Sequence, residues 1–310
     1  MKITVVGAGN VGSTCADVLA HKDACSEIVL LDIKKGLAEG KALDIWQSAP
    51  IERFNTKTVG VTNEYEKTAD SDIVVITSGL PRKPGMSRDD LIEKNAGIVK
   101  SVTENVLKYS PDCILIVVSN PLDIMTYQAY LSSKKSRNKV IGMAGILDAG
   151  RYRAFISDEL NVSPKDVQAV LMGGHGDTMV PLPRYTTVSG IPVRQLISDE
   201  RLDAIIHRTK YGGGELVKLM GTSAWYAPGA AAARMAEAIA KNQKRVLPCC
   251  VKLEGEYNIN DVFVGVPVVL GKHGVEQILE LDLNELEMKK LHKSANAVKE
   301  SMNILDGLNK

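Results

Sequence analysis

Val5-Val6-Gly7-Ala8-Gly9-Asn10-Val11-Gly12 closes the first apolar run of the chain. A second run, Ile28-Val29-Leu30-Leu31, ends in Asp32, and an amphipathic stretch lies between the two. The order is strand, tight turn, helix, strand, acid. In that order each glycine has a job: Gly7 permits the turn, Gly9 lets a pyrophosphate approach the backbone, and Gly12 lets the next helix pack on the sheet. The helix N-terminus then presents free N–H groups and the positive end of its dipole to the phosphates. Asp32, at the end of the second strand, is placed to accept from both hydroxyls of a ribose. A lone G-x-G-x-x-G is a weak signal, but here all five parts fall in register.

The rest of the first 145 residues repeats this alternation. Apolar runs at 3–6, 28–31, 58–61, 73–76, 114–118 and 140–142 are separated by helical patterns near 10–21, 36–47, 88–109 and 121–133. Such alternation predicts an α/β fold with a doubly wound parallel (Rossmann) sheet. The later part reads differently. Val167–Met172 and Thr186–Pro192 are expected strands, 199–220 and 222–241 long helices, Val246–Leu253 and Val262–Leu270 an antiparallel pair, and Leu283–Leu308 a closing helix. The expected organisation is therefore 1–145 as a dinucleotide-binding domain and 146–310 as a second, α+β domain.

Composition narrows the partners. The chain has 310 residues and a formal net charge of +1, so no global field draws it to nucleic acid or an anionic membrane. No apolar run reaches the roughly 18 residues that span a bilayer. A first strand at Ile3 leaves no room for a leader in this chain. The five cysteines, Cys15, Cys25, Cys113, Cys249 and Cys250, have neither C-x-x-C nor metal-ligand spacing. No metal site and a reducing compartment are expected.

Four further segments carry candidate chemistry. Thr77 to Asp90 leaves the carboxyl edge of the fourth strand, where ligands bind in this architecture. Its Arg82 and Arg88 read either as a solvated basic loop or as groups brought onto an anionic substrate. Ser87 and Asp90 form a capping signature that starts the next helix there, with Arg88 in the first turn. Ser119-Asn120-Pro121 ends the fifth strand and faces Asn120 to the same crevice, or else is an ordinary turn. Asp148 and Arg151 are three apart, a spacing that gives an ion pair on a helix or two groups facing different ligands. Gly173-Gly174-His175-Gly176-Asp177-Thr178 sets a histidine in tight backbone. Histidine exchanges protons near neutral pH, and its orienting acid is Asp177 or Asp148, which spacing does not decide. The small-residue face Ala38, Ala42, Ile45 and Trp46 and the stretch Ala230–Ala233 suit either internal packing or a subunit interface.

With these segments together, the chain resembles the lactate/malate dehydrogenase family along its whole length, and most of all its bacterial lactate-dehydrogenase-like malate dehydrogenases. The resemblance rests on the Gly7/Gly9/Gly12 turn with Asp32, the Pro81-to-Arg88 loop, Ser119-Asn120-Pro121, Leu147-Asp148-Ala149-Gly150-Arg151 and Gly174-His175-Gly176-Asp177. It implies NAD as cofactor, held by Gly7, Ala8, Gly9, Asn10, Val11, Gly12 and Asp32. Asn95, Val118, Ser119 and Asn120 would border the nicotinamide half. His175 would be the general acid/base and Asp148 its orienting partner. Arg151 would grip the substrate C1 carboxylate, Arg88 would polarise the carbonyl, and Asn120, in a cis bond to Pro121, would contact substrate and cofactor. Ser223 would line the substrate pocket.

In the resembling family, arginine at the position of Arg82 accompanies dicarboxylic substrates and glutamine accompanies lactate. Reversible hydride transfer between NADH and oxaloacetate, giving (S)-malate, is therefore the expected reaction. A lactate or branched 2-hydroxyacid dehydrogenase, an NAD-dependent glycosidase and a nucleotide-binding regulator are the rival readings. Arg82 argues against the first, the lack of a cysteine near His175 against the second, and the intact proton-transfer set against the third. A homodimer or homotetramer in the cytoplasm is expected, with no nucleic acid or membrane partner.

Overall fold

The computed structural model describes residues 1–81 and 88–308, with Arg88 described by its backbone alone. Arg82 and Ser87, and with them the expected helix cap, lie outside the described residues, as does the Arg88 side chain.

The first part follows the alternation read from the sequence. Strands β1 (Lys2–Val6), β2 (Glu27–Asp32), β3 (Lys57–Thr62), β4 (Ile73–Ile76), β5 (Ile114–Val117) and β6 (Val140–Gly142) are all parallel, in the order 6-5-4-1-2-3. β4 and β5 are buried along their whole length, because helices cover both faces of a parallel sheet and leave no polar side. The connecting helices are α1 (Asn10–His21), α2 (Leu37–Glu52), α3 (Arg88–Leu107) and α4 (Leu122–Ser133). α2 outlasts its expected end at 47, running through Pro50. A proline this close to the end removes few helical hydrogen bonds.

The second part opens with α5 (Gly145–Leu160). The expected strand Val167–Met172 is instead two: β7 (Val167–Gln168) and β8 (Leu171–Met172) pair with different partners. β8 pairs with β9 (Val180–Pro181). β7 pairs with β10 (Thr187–Val188), which turns back on β11 (Ile191–Pro192). The expected strand Thr186–Pro192 is therefore a hairpin. Ser189 and Gly190, at φ 47° and 86°, make a two-residue turn that a single strand cannot contain.

α6 (Asp199–Met220) and α7 (Tyr226–Ala240) lead into the hairpin of β12 (Arg245–Glu254) and β13 (Asn260–Gly271), then β14 (Gly274–Ile278) and α8 (Glu285–Leu308). β12 pairs antiparallel with β6 through Cys250 and Gly142. The hairpin, with β14 paired on β13, thus extends the first sheet to nine strands. Cys249 and Cys250 are buried strand residues, and all five cysteines are free thiols.

Burial answers most of the two small-residue stretches. Ala38, Ala42 and Ile45 are covered within the chain, as are Ala231, Ala232 and Ala233, while Trp46 is half-buried and Ala230 is exposed. An assembly surface built on the Ala38–Ala42–Ile45 face is therefore corrected: that face packs internally. What α2 leaves exposed is Leu43 and Ile51. Among the described residues no helix is long and apolar enough to cross a membrane, and no cluster of His, Cys, Asp and Glu is arranged to hold a metal ion.

Candidate active site

The glycine turn is built by contact. Gly7 sits at φ +105°, and a Cβ there would lie 2.7 Å from Thr77 Oγ1. A Cβ on Gly12 would come within 1.8 Å of the Gly7 carbonyl oxygen, so α1 reaches the sheet only with glycine there. Gly9 is different, since a Cβ there meets no protein atom within 4 Å. Its glycine is not explained by the protein's own packing, and it fits a ligand drawn against the backbone. α1 has no side-chain cap and no acid in its first turn, so its leading N–H groups remain available to an anion. Asp32 is fixed at the adjoining strand end, where Oδ2 accepts from Ala8 N at 2.6 Å and Oδ1 from Lys34 N at 2.9 Å. This donor set fits a dinucleotide.

A cavity of about 610 Å³ runs from this turn into the second half of the chain. Gly9, Asn10, Val11, Gly12, Asn95, Val118, Ser119, Asn120, Arg151, His175 and Ser223 all line it. Most of the expected site residues are therefore on the cavity wall, drawn from α1 and the turn before it, α3, the end of β5, α5, the loop after β8, and the segment between α6 and α7. Asp32 and Asp148 stand behind that wall. The Asn120–Pro121 bond is cis.

The proton-transfer group is set from α5. Asp148 is buried in its first turn. Its Oδ2 lies 2.8 Å from His175 Nδ1, and its Oδ1 accepts from Arg151 Nη1 at 3.2 Å. The carboxylate thus orients both groups, and the ring directs Nε2 away from it. Asp177 is exposed and makes no bond to the ring. Burial disfavours the imidazolium, but the Asp148 charge and hydrogen bond, with a contribution from Asp123, outweigh it. The His175 pKa is raised above the ordinary imidazole value.

Arg151 lines the cavity with its Nε buried and without a hydrogen-bond partner. Gly212 and Gly213 of α6 face it: a Cβ on Gly212 would lie 3.4 Å from Arg151 Cδ, and one on Gly213 3.9 Å from Nη2, both ordinary contact distances.

Three contributors were not read from the sequence. Asp123, buried in the first turn of α4, accepts from the His175 main-chain N–H at 2.9 Å through Oδ2. Burial raises its pKa, opposed by the charge of His175. Ser294 of α8 accepts from Gly174 N at 2.8 Å and pins the same loop from the other side. Gly212 and Gly213 are the third. An acid two residues after Pro121, in the first turn of the helix that follows, was the available signal for Asp123. The other two had none. Asn95 lines the cavity beside Asn120, and its side-chain amide binds the main chain of Leu80 and Asn120.

Known proteins show the same arrangement of chain. Residues 1–142 match the family model for the lactate/malate dehydrogenase NAD binding domain, and 146–306 match that for the lactate/malate dehydrogenase alpha/beta C-terminal domain. The cofactor is NAD. A malate dehydrogenase from Cytophaga hutchinsonii is 68% identical over 308 residues, covering 99% of each chain. A solved malate dehydrogenase structure from Salinibacter ruber superposes with a TM-score of 0.96 at 56% identity, covering 100% of this chain and 99% of that one. A lactate dehydrogenase from Cryptosporidium parvum, solved with lactic acid and the dinucleotide, gives 0.94 at 40% identity over 98% of each chain. With both halves matched and the site residues gathered on one cavity, the chain belongs to the lactate/malate dehydrogenase family.

Proposed function

We propose that the chain is an NAD-dependent malate dehydrogenase, with 1–145 holding the cofactor and 146–310 the substrate. The observation that carries the site assignment is the buried, uncommitted Nε of Arg151 beside His175, on the cavity that begins at the glycine turn. An anion gripped there has its neighbouring carbon next to a proton carrier. The malate reading is supported by Arg82 and by relatives of that name at up to 68% identity.

Bound NADH supplies a hydride to the carbonyl carbon. The protein's part is as follows. Arg151 holds the C1 carboxylate with paired donors, which suits its planar fork. His175 gives its Nε2 proton to the carbonyl oxygen as negative charge develops, and takes it back in the reverse reaction. Asp148 holds the ring tautomer and stabilises the imidazolium. Arg88 polarises the carbonyl and Arg82 meets the second carboxylate. Asn120 and Ser223 border the substrate. Gly7 to Gly12, with Ala8, Asn10 and Val11, line the pyrophosphate, and Asp32 accepts from the adenosine ribose.

Turnover of oxaloacetate with NADH, compared with pyruvate under the same conditions, tests this reading. A higher kcat/KM with pyruvate overturns the substrate assignment. No oxidation of NADH with any 2-oxo acid overturns the reaction class.

A further inference from the structure

A single buried amide joins two exits of the parallel sheet. Asn95, on α3, is 1% exposed. Its Oδ1 accepts from Leu80 N at 2.8 Å, and its Nδ2 donates to Leu80 O at 3.1 Å and to Asn120 O at 2.6 Å. The amide orientation follows from these partners, since turning it over would set N–H against N–H at Leu80. Both Nδ2 hydrogens are therefore committed to main-chain carbonyls. Gly79 lies under the same amide, where a Cβ would be 3.4 Å from Oδ1. Leu80 belongs to the segment leaving β4, and Asn120 to the segment leaving β5. The two strands pair directly, from Ile73 with Ile114 to Ile76 with Val117. Beyond the last pair Val118 N still donates to Ile76 O and Ser119 Oγ to Ser78 O, and at the next step, Asn120, it is Asn95 that joins the two chains along the cavity wall.

We propose that Asn95 is a positioning residue, whose amide fixes the Asn120 main chain, and so the direction of the Asn120 side chain, against Leu80. The inference rests on the reading of Asn120 as a substrate contact, and it replaces a side-chain contact from Asn95 to the cofactor. Without the clamp the β5 exit keeps the bonds of Val118 N to Ile76 O and Ser119 Oγ to Ser78 O, but loses the one that holds the Asn120 main chain itself. Asn120 then drifts relative to Arg151 and His175, which are held from other elements. Displacement of a reacting partner by about 1 Å costs on the order of a hundredfold in rate.

The test uses Asn95→Asp and Asn95→Ala in the full chain. Aspartate keeps the acceptor toward Leu80 N but turns a carboxylate oxygen toward two carbonyls. The expected result is NADH binding at wild-type stoichiometry with Kd within about twofold, and kcat/KM for oxaloacetate lowered about ten- to a hundredfold. The primary deuterium isotope effect with deuterated NADH should rise, because hydride transfer becomes more rate-limiting. Loss of folded sites alone would instead lower kcat in proportion to stoichiometry, with KM and isotope effect unchanged. Wild-type kcat/KM in both variants overturns the proposal, as does a weakened NADH Kd with oxaloacetate parameters intact.

Selective amide labelling of the wild-type chain covers the case in which neither variant folds. Both Asn95 side-chain protons should exchange slowly and keep their shifts when NADH binds. Fast exchange, or a shift change that reports transfer of the amide to the cofactor, overturns the clamp. If the wild-type chain does not reduce oxaloacetate, the substrate reading fails, while NADH affinity and amide exchange still decide the clamp.

Discussion

Asp148 and Asp123 act on His175 from different helices, Asp148 at ring Nδ1 and Asp123 at the main-chain N–H. The first fixes the tautomer and the second fixes where the residue sits. Both carboxylates favour the imidazolium electrostatically, while Arg151 opposes it. Since Asp148 also binds Arg151, the proton carrier and the anion donor share one anchor.

The pH dependence follows from the raised His175 pKa. With His175 as the proposed proton donor, kcat/KM for oxaloacetate reduction should fall as pH rises through that pKa, and malate oxidation should rise over the same interval. The linkage sign is the same for stability. The folded-state pKa lies above the unfolded one, so the imidazolium contributes fully below the ordinary histidine pKa, and that contribution is lost as pH rises through the folded value. Asp148→Asn should lower kcat by about 10²- to 10⁴-fold with NADH affinity retained. Asp177→Asn should stay within a few-fold. The opposite ordering in steady-state kinetics assigns the orienting role to Asp177.

Asp123→Asn separates charge from placement. The amide oxygen still accepts from His175 N, so the loop stays in position, but the charge that favours the imidazolium is gone. The midpoint of the reduction pH profile should move to lower pH, with plateau kcat within several-fold. An unmoved midpoint removes Asp123 from the electrostatics of the site.

Cofactor choice turns on Asp32. Two backbone N–H groups hold its carboxylate in place, so it cannot swing aside from a 2′-phosphate. NADH should be preferred over NADPH in kcat/KM at low salt, and Asp32→Ser should narrow the gap from the NADPH side. Lys34 and Lys35 follow directly and set a limit on the discrimination. Equal kcat/KM for the two cofactors in the unaltered chain would remove the role given to Asp32.

Assembly cannot use the Ala38–Ala42–Ile45 face, which is internal. Leu43 and Ile51 on α2, and Val217, Leu219 and Tyr226 around the end of α6, remain exposed. Light scattering at micromolar concentration should give at least two chains of 33.5 kDa per particle. A monomer at that concentration contradicts the expected homodimer or homotetramer.

The alternation was legible because a parallel sheet buried on both faces is built from short apolar strands, here of three to six residues, and all six fell where the runs are. The Gly7-to-Gly12 turn was legible because its constraints are local. The orienting acid was not: Asp148 lies 27 residues from His175 and Asp177 only two, and chain distance favours neither once the chain folds back. Asp123 is further still, at 52 residues. β7 was merged with β8 and β10 with β11, and β9 was missed, because two-residue pairings have no periodicity to read. The Ala38 face was ambiguous because small residues suit a neighbouring strand and a neighbouring subunit equally well.

Substrate identity rests on charge. Arg151 has an uncommitted buried donor, which the proposed reading gives to one carboxylate, with His175 at the carbonyl oxygen. In that reading Arg82 supplies a further cation, which pyruvate, with a methyl group at that end, would leave unpaired. Oxaloacetate presents a carboxylate there. A closely held ion pair shielded from water is stronger than a solvated one, and a site built for a polar partner rejects an analogue lacking it by about 10⁴-fold or more. The unaltered chain should therefore favour oxaloacetate strongly. In Arg82→Gln, kcat/KM for oxaloacetate should fall steeply and that for pyruvate should hold or rise. The gain for pyruvate is expected to be the smaller change, because removing a charge does not refill the volume of a lost carboxylate. The measurement is the ratio of the two kcat/KM values in both proteins. If that ratio is the same in each, Arg82 points to solvent and another group reads the second carboxylate.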